Sequence, residues 1–143
     1  MSGPSPTPLI VDASVLTAIT RTDPGVIGLM QIFDARSQPL VIPALAITGA
    51  SLDAHSEDID DLLAGLEMLE TVTVASLHGA RRAAKVARII DDTGLTTWDA
   101  HVAAVAAASK CAILTLDAAN WRQVSGAFDP PLQIVEIADT DEG

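Results

Sequence analysis

Three aspartates lie where the sequence changes from a short apolar stretch to a helical one. Asp12 closes LIVD, Asp99 lies in TTWDAHVAA, and Asp117 closes AILTLD. Carboxylates bind hard cations and exchange protons with water, so three of them in one place are typical of a metal-dependent hydrolytic site. The elements that carry these residues decide whether they meet.

The chain alternates short apolar segments with helical patterns, which indicates an α/β fold. Segments typical of strands occur at residues 9–11, 40–42, 72–74, 112–116 and 132–137. Strands separated by helices favour right-handed crossovers, and these build a parallel sheet with helices on both faces. The sequence therefore predicts a three-layer α/β/α sandwich with a central parallel sheet.

Length and composition predict one folded domain. The chain has 143 residues, of which 49% are hydrophobic and 19% charged, a balance that suits a compact buried core. We expect a flexible proline-rich tail at residues 1–8, the domain at 9–138 and an acidic tail at 139–143. No segment has the pattern of a membrane span or secretion signal, and the single cysteine suits a reducing compartment, so we expect a cytoplasmic protein.

The three aspartates are expected at one edge of the sheet. In an open parallel sheet, the ligand crevice lies outside the carboxyl ends of the strands. Asp12 and Asp117 follow strands, and Asp99 opens a helix that must begin at the same edge before the chain returns through the strand at 112–116. Alternatively the residues only cap helices and turns, which explains each one singly but explains their common edge poorly.

A cluster of buried carboxylates must bind a cation or take up protons, because unpaired buried charge is costly. Histidine and cysteine are absent from it at metal-ligand spacing, and oxygen-only ligands predict Mg²⁺, or Mn²⁺ in its place. Ser14 and Thr115 are candidates for holding waters or the carboxylates from behind.

The net charge of −11 argues against binding nucleic acid through overall electrostatics. Four of the eight basic residues nevertheless fall in one short stretch, namely Arg81, Arg82, Lys85 and Arg88. Three of the four share a helical face, so this basic strip is a candidate phosphate-binding surface, although a solvated face that balances nearby acids explains it equally well. The acidic remainder is expected to attract a basic partner.

These motifs together resemble the PIN domain family and, within it, the VapC-like toxin ribonucleases of bacterial toxin–antitoxin pairs. The likeness rests on LIVDASVL, IPALAITGA, WDAHVAAVAAA and ILTLDAANW, in that order. It implies RNA cleavage that depends on Mg²⁺ or Mn²⁺, with Asp12, Asp99 and Asp117 as metal ligands and catalytic residues. It also implies RNA as the ligand of the basic strip, a homodimer, and a basic antitoxin segment as partner.

One position departs from the family pattern. The family has a glutamate in the middle helix where this chain has Gly49, six residues after Pro43. Losing a ligand carboxylate should weaken cation binding, and Asp53 is a candidate substitute through a water, although a solvated helix end also explains it. Three interpretations stay open: a ribonuclease with a modified acidic site, a catalytically impaired PIN-fold protein that binds RNA or a protein partner, and a phosphatase-like hydrolase.

Overall fold

The structure, a computed structural model, describes residues 6–54 and 58–137, and these form alternating strands and helices. The strands are β1 (Leu9–Val11), β2 (Leu40–Pro43), β3 (Val72–Ala75), β4 (Ile113–Thr115) and β5 (Ile134–Glu136). The helices are α1 (Ala13–Thr20), α2 (Pro24–Ala35), α3 (Ala44–Ala54), α4 (Asp58–Glu67), α5 (Ala80–Thr93), α6 (Thr97–Ser109) and α7 (Ala118–Ser125).

The strands form one parallel sheet in the order β3-β2-β1-β4-β5. With helices on both faces, this confirms the predicted α/β/α sandwich. The chain passes from β1 outward to β2 and β3, and then returns to the other side of β1 as β4. The strand order therefore reverses between β1 and β4, which is where open parallel sheets place their ligand crevices.

The core lies on the central strands. Ile10 and Val11 of β1 and Ile113 and Leu114 of β4 are almost fully buried, as expected for strands covered on both faces. Trp121 of α7 is buried completely. This packing holds the ends of β1 and β4 in fixed positions.

Helices α3 and α6 pack closely against each other. Small buried residues on both, including Gly49, Ala50, Ala100 and Ala103, let the two backbones approach. His101 of α6 is also buried, and its Nδ1 accepts the backbone N–H of Leu45, 3.2 Å away, in the first turn of α3. The beginning of α6 is thereby fixed beside α3.

Residues 6–8 precede β1 without regular secondary structure. The rest of the expected N-terminal tail, residues 1–5, lies outside the described residues, as does the expected acidic tail at 139–143. In the part of the chain that the structure describes, no helix has the length and apolar character needed to cross a bilayer.

Candidate functional site

The structure brings the three aspartates together. Asp12, Asp99 and Asp117 line one cavity of about 240 Å³, which we call the acidic cavity. Asp12 directly follows β1, Asp117 follows β4 after one intervening residue, and Asp99 lies in the first turn of α6. The acidic cavity therefore lies at the carboxyl ends of β1 and β4, where the strand order reverses.

Asp12 is held in one orientation by three hydrogen bonds. Its Oδ1 accepts from the Ser14 hydroxyl at 2.6 Å and from the Val15 N–H at 3.1 Å, and its Oδ2 accepts from the Trp121 indole N–H at 2.9 Å. The bond to Val15 caps α1, so the capping role also holds for this residue. A carboxylate has about four acceptor positions, so roughly one is left for a cation.

Asn120 connects the other two carboxylates. Its side-chain amide donates to Asp99 Oδ2 at 3.2 Å, and its backbone N–H donates to Asp117 Oδ1 at 3.3 Å, which caps α7. Asn120 and Trp121 are not predicted from the sequence as part of the site. Only a weak pattern could indicate them, namely an amide and an indole at the beginning of the helix that follows Asp117.

Burial and neighbouring charge make Asp99 a proton-exchanging group near neutral pH. Burial, followed by the negative charge of Asp12, raises the pKa of Asp99 from its ordinary value to about 6. Asp117 adds a smaller rise, and hydrogen bonds from Asn120 and Thr96 partly oppose it. The N-termini of α1, α6 and α7 meet here and favour negative charge, yet the repulsion among the carboxylates still raises the pKa of Asp99.

Ser14 and Thr115 lie behind the carboxylates and join the ends of β1 and β4. The Ser14 hydroxyl donates to Asp12, accepts the N–H of Leu116 at 3.0 Å, and lies 3.3 Å from the Thr115 hydroxyl. The Thr115 hydroxyl accepts the N–H of Asp117 at 2.9 Å. Ser14 thus contacts Asp12, and Thr115 contacts the backbone of Asp117.

The donors of the acidic cavity fit a hard divalent cation. They are carboxylate oxygens with excess negative charge, and a cation would take the place of the proton that the raised pKa of Asp99 favours. Among the described residues, no three His, Cys, Asp or Glu side chains are grouped closely enough to hold an ion as they stand. Asp117 is exposed and Asp99 is partly exposed, whereas Asp12 is buried and held by three hydrogen bonds.

Asp53, the candidate substitute ligand, also lines the acidic cavity. Its Oδ2 already pairs with Arg21 at 2.9 Å, and the two side chains are 47% and 70% exposed. An exposed ion pair of this kind is weak and solvated. The structure thus places Asp53 near the three aspartates, but its carboxylate is paired with the guanidinium of Arg21.

Trp98 occupies the space in front of Gly49, the position where the resemblance implies a glutamate. A Cβ on residue 49 would lie 2.5 Å from Cγ, 2.7 Å from Cδ2 and 2.8 Å from Cδ1 of the indole. Those distances are far shorter than van der Waals contact, so α3 has no room there for a side chain. Trp98 is not predicted from the sequence as a site residue. The pattern that could indicate it is a tryptophan next to Asp99 combined with a glycine inside a helix.

The basic strip lies on α5, and all four of its residues are exposed. Lys85 and Arg88 line a second cavity of about 350 Å³, together with Lys110. Cys111 and Gln133, which precede β4 and β5, also line it, so it lies at the amino ends of these strands. Arg81 and Arg82 line neither cavity. The structure therefore does not bring the basic strip to the edge of the sheet that carries the aspartates.

Comparisons with known proteins identify a matching family and similar folds. Residues 9–127 match the family model of the PIN domain, and no curated protein sequence matches the chain. The fold is similar to that in a toxin–antitoxin complex from Klebsiella pneumoniae, with 14% identity and a TM-score of 0.60, covering 90% of this chain and 99% of that one.

Two further solved structures share the fold. VapBC2 from Rickettsia felis, bound to a DNA fragment from its promoter, has 12% identity and a TM-score of 0.61, covering 90% of this chain and 98% of that one. PAE2754 from Pyrobaculum aerophilum has 21% identity and a TM-score of 0.55, covering 90% of this chain and 83% of that one. At these identities the similarity shows the fold alone. Any statement about chemistry must rest on the side chains of the acidic cavity.

Proposed function

Because the chain belongs to the PIN domain family, we propose that it is a PIN-type nuclease: a metal-dependent endoribonuclease that acts as the toxin of a toxin–antitoxin pair. One observation carries the proposal. Asp12, Asp99 and Asp117 share one cavity at the point where the strand order reverses, and burial, together with the negative charges of the other two aspartates, raises the pKa of Asp99. Carboxylates in this arrangement fit a cation that binds a phosphodiester.

Asp12 and Asp117 would be the main ligands of Mg²⁺ or Mn²⁺, with Asp99 close by. When bound, the cation would polarise a phosphate oxygen and lower the pKa of water. Asp99, whose carboxylate lines the same cavity, would take a proton from the attacking water. The water oxygen forms a bond to phosphorus, one phosphorus–oxygen bond of the RNA backbone breaks, and the departing oxygen takes up a proton from solvent.

A second candidate function is that of a catalytically impaired PIN-fold protein that binds RNA or a protein partner. The contact between Gly49 and Trp98 favours it, because the indole fills the space of the carboxylate that the family pattern implies. Under this alternative the acidic cavity retains cation affinity, but phosphodiester cleavage is slow or absent.

The proposed partners are a basic antitoxin segment and a second copy of the chain, in the cytoplasm. One of the solved structures with this fold is described as a toxin–antitoxin complex, and another as VapBC2 bound to a DNA fragment from its promoter. The net charge of −11 favours a basic partner, and exposed apolar side chains at Ile32, Leu52 and Met68 offer surface to cover. Light scattering that finds only monomer, with no binding of basic peptides, would contradict both partners.

The function is tested by measuring cation binding and RNA cleavage on the same protein samples. Calorimetry should show binding of Mn²⁺ or Mg²⁺ that weakens strongly in Asp12→Asn but not in Asp34→Asn, whose carboxylate lies outside the acidic cavity. Cleavage of single-stranded RNA should require the divalent ion and stop in Asp99→Ala.

The outcomes separate the two candidate functions. Equal ion affinity for the wild type and Asp12→Asn would rule out the proposed metal site. Ion binding that depends on Asp12, without any RNA cleavage, would favour the binding protein over the nuclease.

A further inference from the structure

The described lining of the acidic cavity contains no basic side chain that could bind RNA. Four aspartates line it, Asp53 among them, and none of its described lining residues is Lys, Arg or His. The four carboxylates repel a polyanionic strand unless a cation is bound, so an uncharged contact in the lining would add affinity for RNA. The aromatic side chain in that lining is Trp98.

The indole of Trp98 is supported from one side by the backbone of α3. The Cβ position of Gly49 is at nearly equal distances from three atoms of the five-membered ring, so it lies over the ring face and not at its edge. Trp98 is only half-buried and lines the acidic cavity beside Asp99. The indole is therefore a flat ring that is supported on one face by Gly49 and remains partly exposed in the cavity. Such a ring can serve as a stacking surface.

We propose that Trp98 stacks against an unpaired nucleobase of the RNA, next to the phosphate that the acidic cavity would receive. This inference rests on the proposed function and names the feature of the substrate that the site recognises. Every base has a π-face, so the contact favours single-stranded RNA and depends little on sequence. It is also independent of charge, which suits a cavity that repels the RNA backbone.

The intrinsic fluorescence of the protein can report this contact. The chain has two tryptophans, and Trp121 is fully buried with its indole N–H bonded to Asp12. Trp98 is therefore the tryptophan that a base can reach. A short single-stranded RNA, added with Ca²⁺ in place of Mg²⁺ to slow cleavage, should quench the emission saturably, and a fully paired duplex should quench it much less.

Substitutions distinguish stacking from simple packing. Trp98→Leu should weaken binding of the short RNA by about 5- to 150-fold, the range expected for one base–aromatic stack. Its KM for cleavage should rise by a similar factor with a smaller change in kcat, and Trp98→Phe should retain most of the affinity. Phe128→Leu is the matched control, because Phe128 is a partly buried aromatic residue that lines the other cavity.

The results separate this inference from the proposed function. If RNA is cleaved in an Asp12-dependent way and folded Trp98→Leu binds and cleaves it as the wild type does, the stacking role is wrong and the nuclease stands. If no cleavage occurs but short RNA still quenches wild-type emission and Trp98→Leu loses binding, the nuclease is wrong and Trp98 remains a base contact. If Trp98→Leu does not fold, two other results would overturn the stacking role. One is that short RNA does not quench the emission of the wild type. The other is that Trp98→Phe weakens RNA binding by about 5- to 150-fold, as expected for loss of the aromatic ring.

Discussion

At the scale of single residues, Gly49 and Trp98 form one packing unit. The sequence alone allows two explanations for the glycine: a lost carboxylate that can be restored, or a close backbone contact that requires a residue without a side chain. The distance of 2.5 Å from a Cβ at position 49 to Cγ of Trp98 favours the second. An added side chain must displace the indole, which is itself half-buried among core residues.

We therefore expect Gly49→Ala to destabilise the protein by about 1–3 kcal/mol, the usual cost of overpacking. Gly28→Ala is the matched control, since Gly28 also lies inside a helix and a Cβ there has open space. This control should stabilise the protein by about 0.5–1 kcal/mol, because alanine is the better helix former. Urea unfolding measures both, and equal effects of the two substitutions would exclude the packing explanation.

Restoring the carboxylate is expected to require removal of the indole. Gly49→Glu alone should be destabilising, whereas in Gly49→Glu with Trp98→Ala the loss of stability should be smaller than the sum of the two single losses, by roughly 0.5–3 kcal/mol. The double variant should also bind Mn²⁺ more tightly than Trp98→Ala does. The expectation is wrong if the two losses of stability simply add and the double variant binds Mn²⁺ no more tightly than Trp98→Ala. That result would show that a side chain at position 49 does not reach the acidic cavity.

Asp99 provides a test that depends on pH. Its pKa is raised from 3.8 to about 6 in the folded protein, so the folded state binds more protons than the unfolded state between these values. Stability is therefore lost as pH rises through this window, and the full cost is present above about pH 6. The cost corresponds to roughly 3 kcal/mol before solvent screening and to about 1–2 kcal/mol after it, because the side chain is partly exposed.

Asp99→Asn should consequently be more stable than the wild type at pH 7 by about 1–2 kcal/mol, and the advantage should disappear below pH 4. Thermal unfolding measured across this pH range without divalent ions tests the expectation. His101, whose pKa is lowered by burial, destabilises both proteins equally as the pH falls below 6.5, so the difference between them isolates Asp99. A variant that is less stable than the wild type at pH 7 would contradict the burial of charge at this position.

At the scale of secondary-structure elements, the acidic cavity depends on how the ends of β1 and β4 are joined. The Ser14 hydroxyl donates to Asp12 at the end of β1 and accepts from the backbone of Leu116 just after β4. The Ser14 hydroxyl thus joins Asp12 to the backbone of the residue that precedes Asp117. The same contact explains why Leu116, inside the predicted strand at 112–116, lies outside β4: its N–H bonds to Ser14 and not to a neighbouring strand.

Ser14→Ala should lower stability by about 1–3 kcal/mol, because it removes the hydroxyl's bond to the charged Asp12 Oδ1 and leaves the N–H of Leu116 without its partner. Ion affinity should fall by about 10- to 100-fold, the effect typical of residues that orient metal ligands. Thr20→Ala is a suitable control, since its hydroxyl bonds only to the backbone of α1 in the described structure. Calorimetry on folded Ser14→Ala with unchanged ion affinity would remove Ser14 from the site.

The sequence predicts those parts of the fold that local patterns determine. Apolar runs indicate the strands, Asp23 followed by Pro24 marks the beginning of a helix, and the parallel order brings three aspartates to one edge. Contacts between distant segments leave no local pattern. The bond between Trp121 and Asp12 joins residues 109 positions apart, and the contact of Trp98 with Gly49 depends on how closely α3 and α6 pack.

At the scale of the whole molecule, the two cavities lie at opposite edges of the sheet and differ in charge: the lining of the second contains three basic residues and two aspartates, Asp92 and Asp129. The three aspartates lie at the carboxyl ends of β1 and β4, whereas Lys85, Arg88 and Lys110 line the cavity at the amino ends of β4 and β5. In the described residues, neither Lys85 nor Arg88 forms an ion pair with a carboxylate. An RNA strand bound at the acidic cavity would therefore reach Lys85, Arg88 and Lys110 only if it were long enough to extend around the molecule.

This separation predicts an effect of RNA length. Arg88→Glu should weaken binding of a long single-stranded RNA and reduce the slope of log affinity against log salt by about 0.7 for each phosphate that the arginine no longer neutralises. A dinucleotide, which occupies the acidic cavity alone, should bind Arg88→Glu and the wild type equally. Arg36→Glu is the matched control, because it makes the same change of charge at an exposed arginine that lines neither cavity. If both variants weaken long RNA equally, only the overall charge matters; if only Arg88→Glu does, and only with long RNA, the basic strip holds the part of the strand beyond the cleavage site.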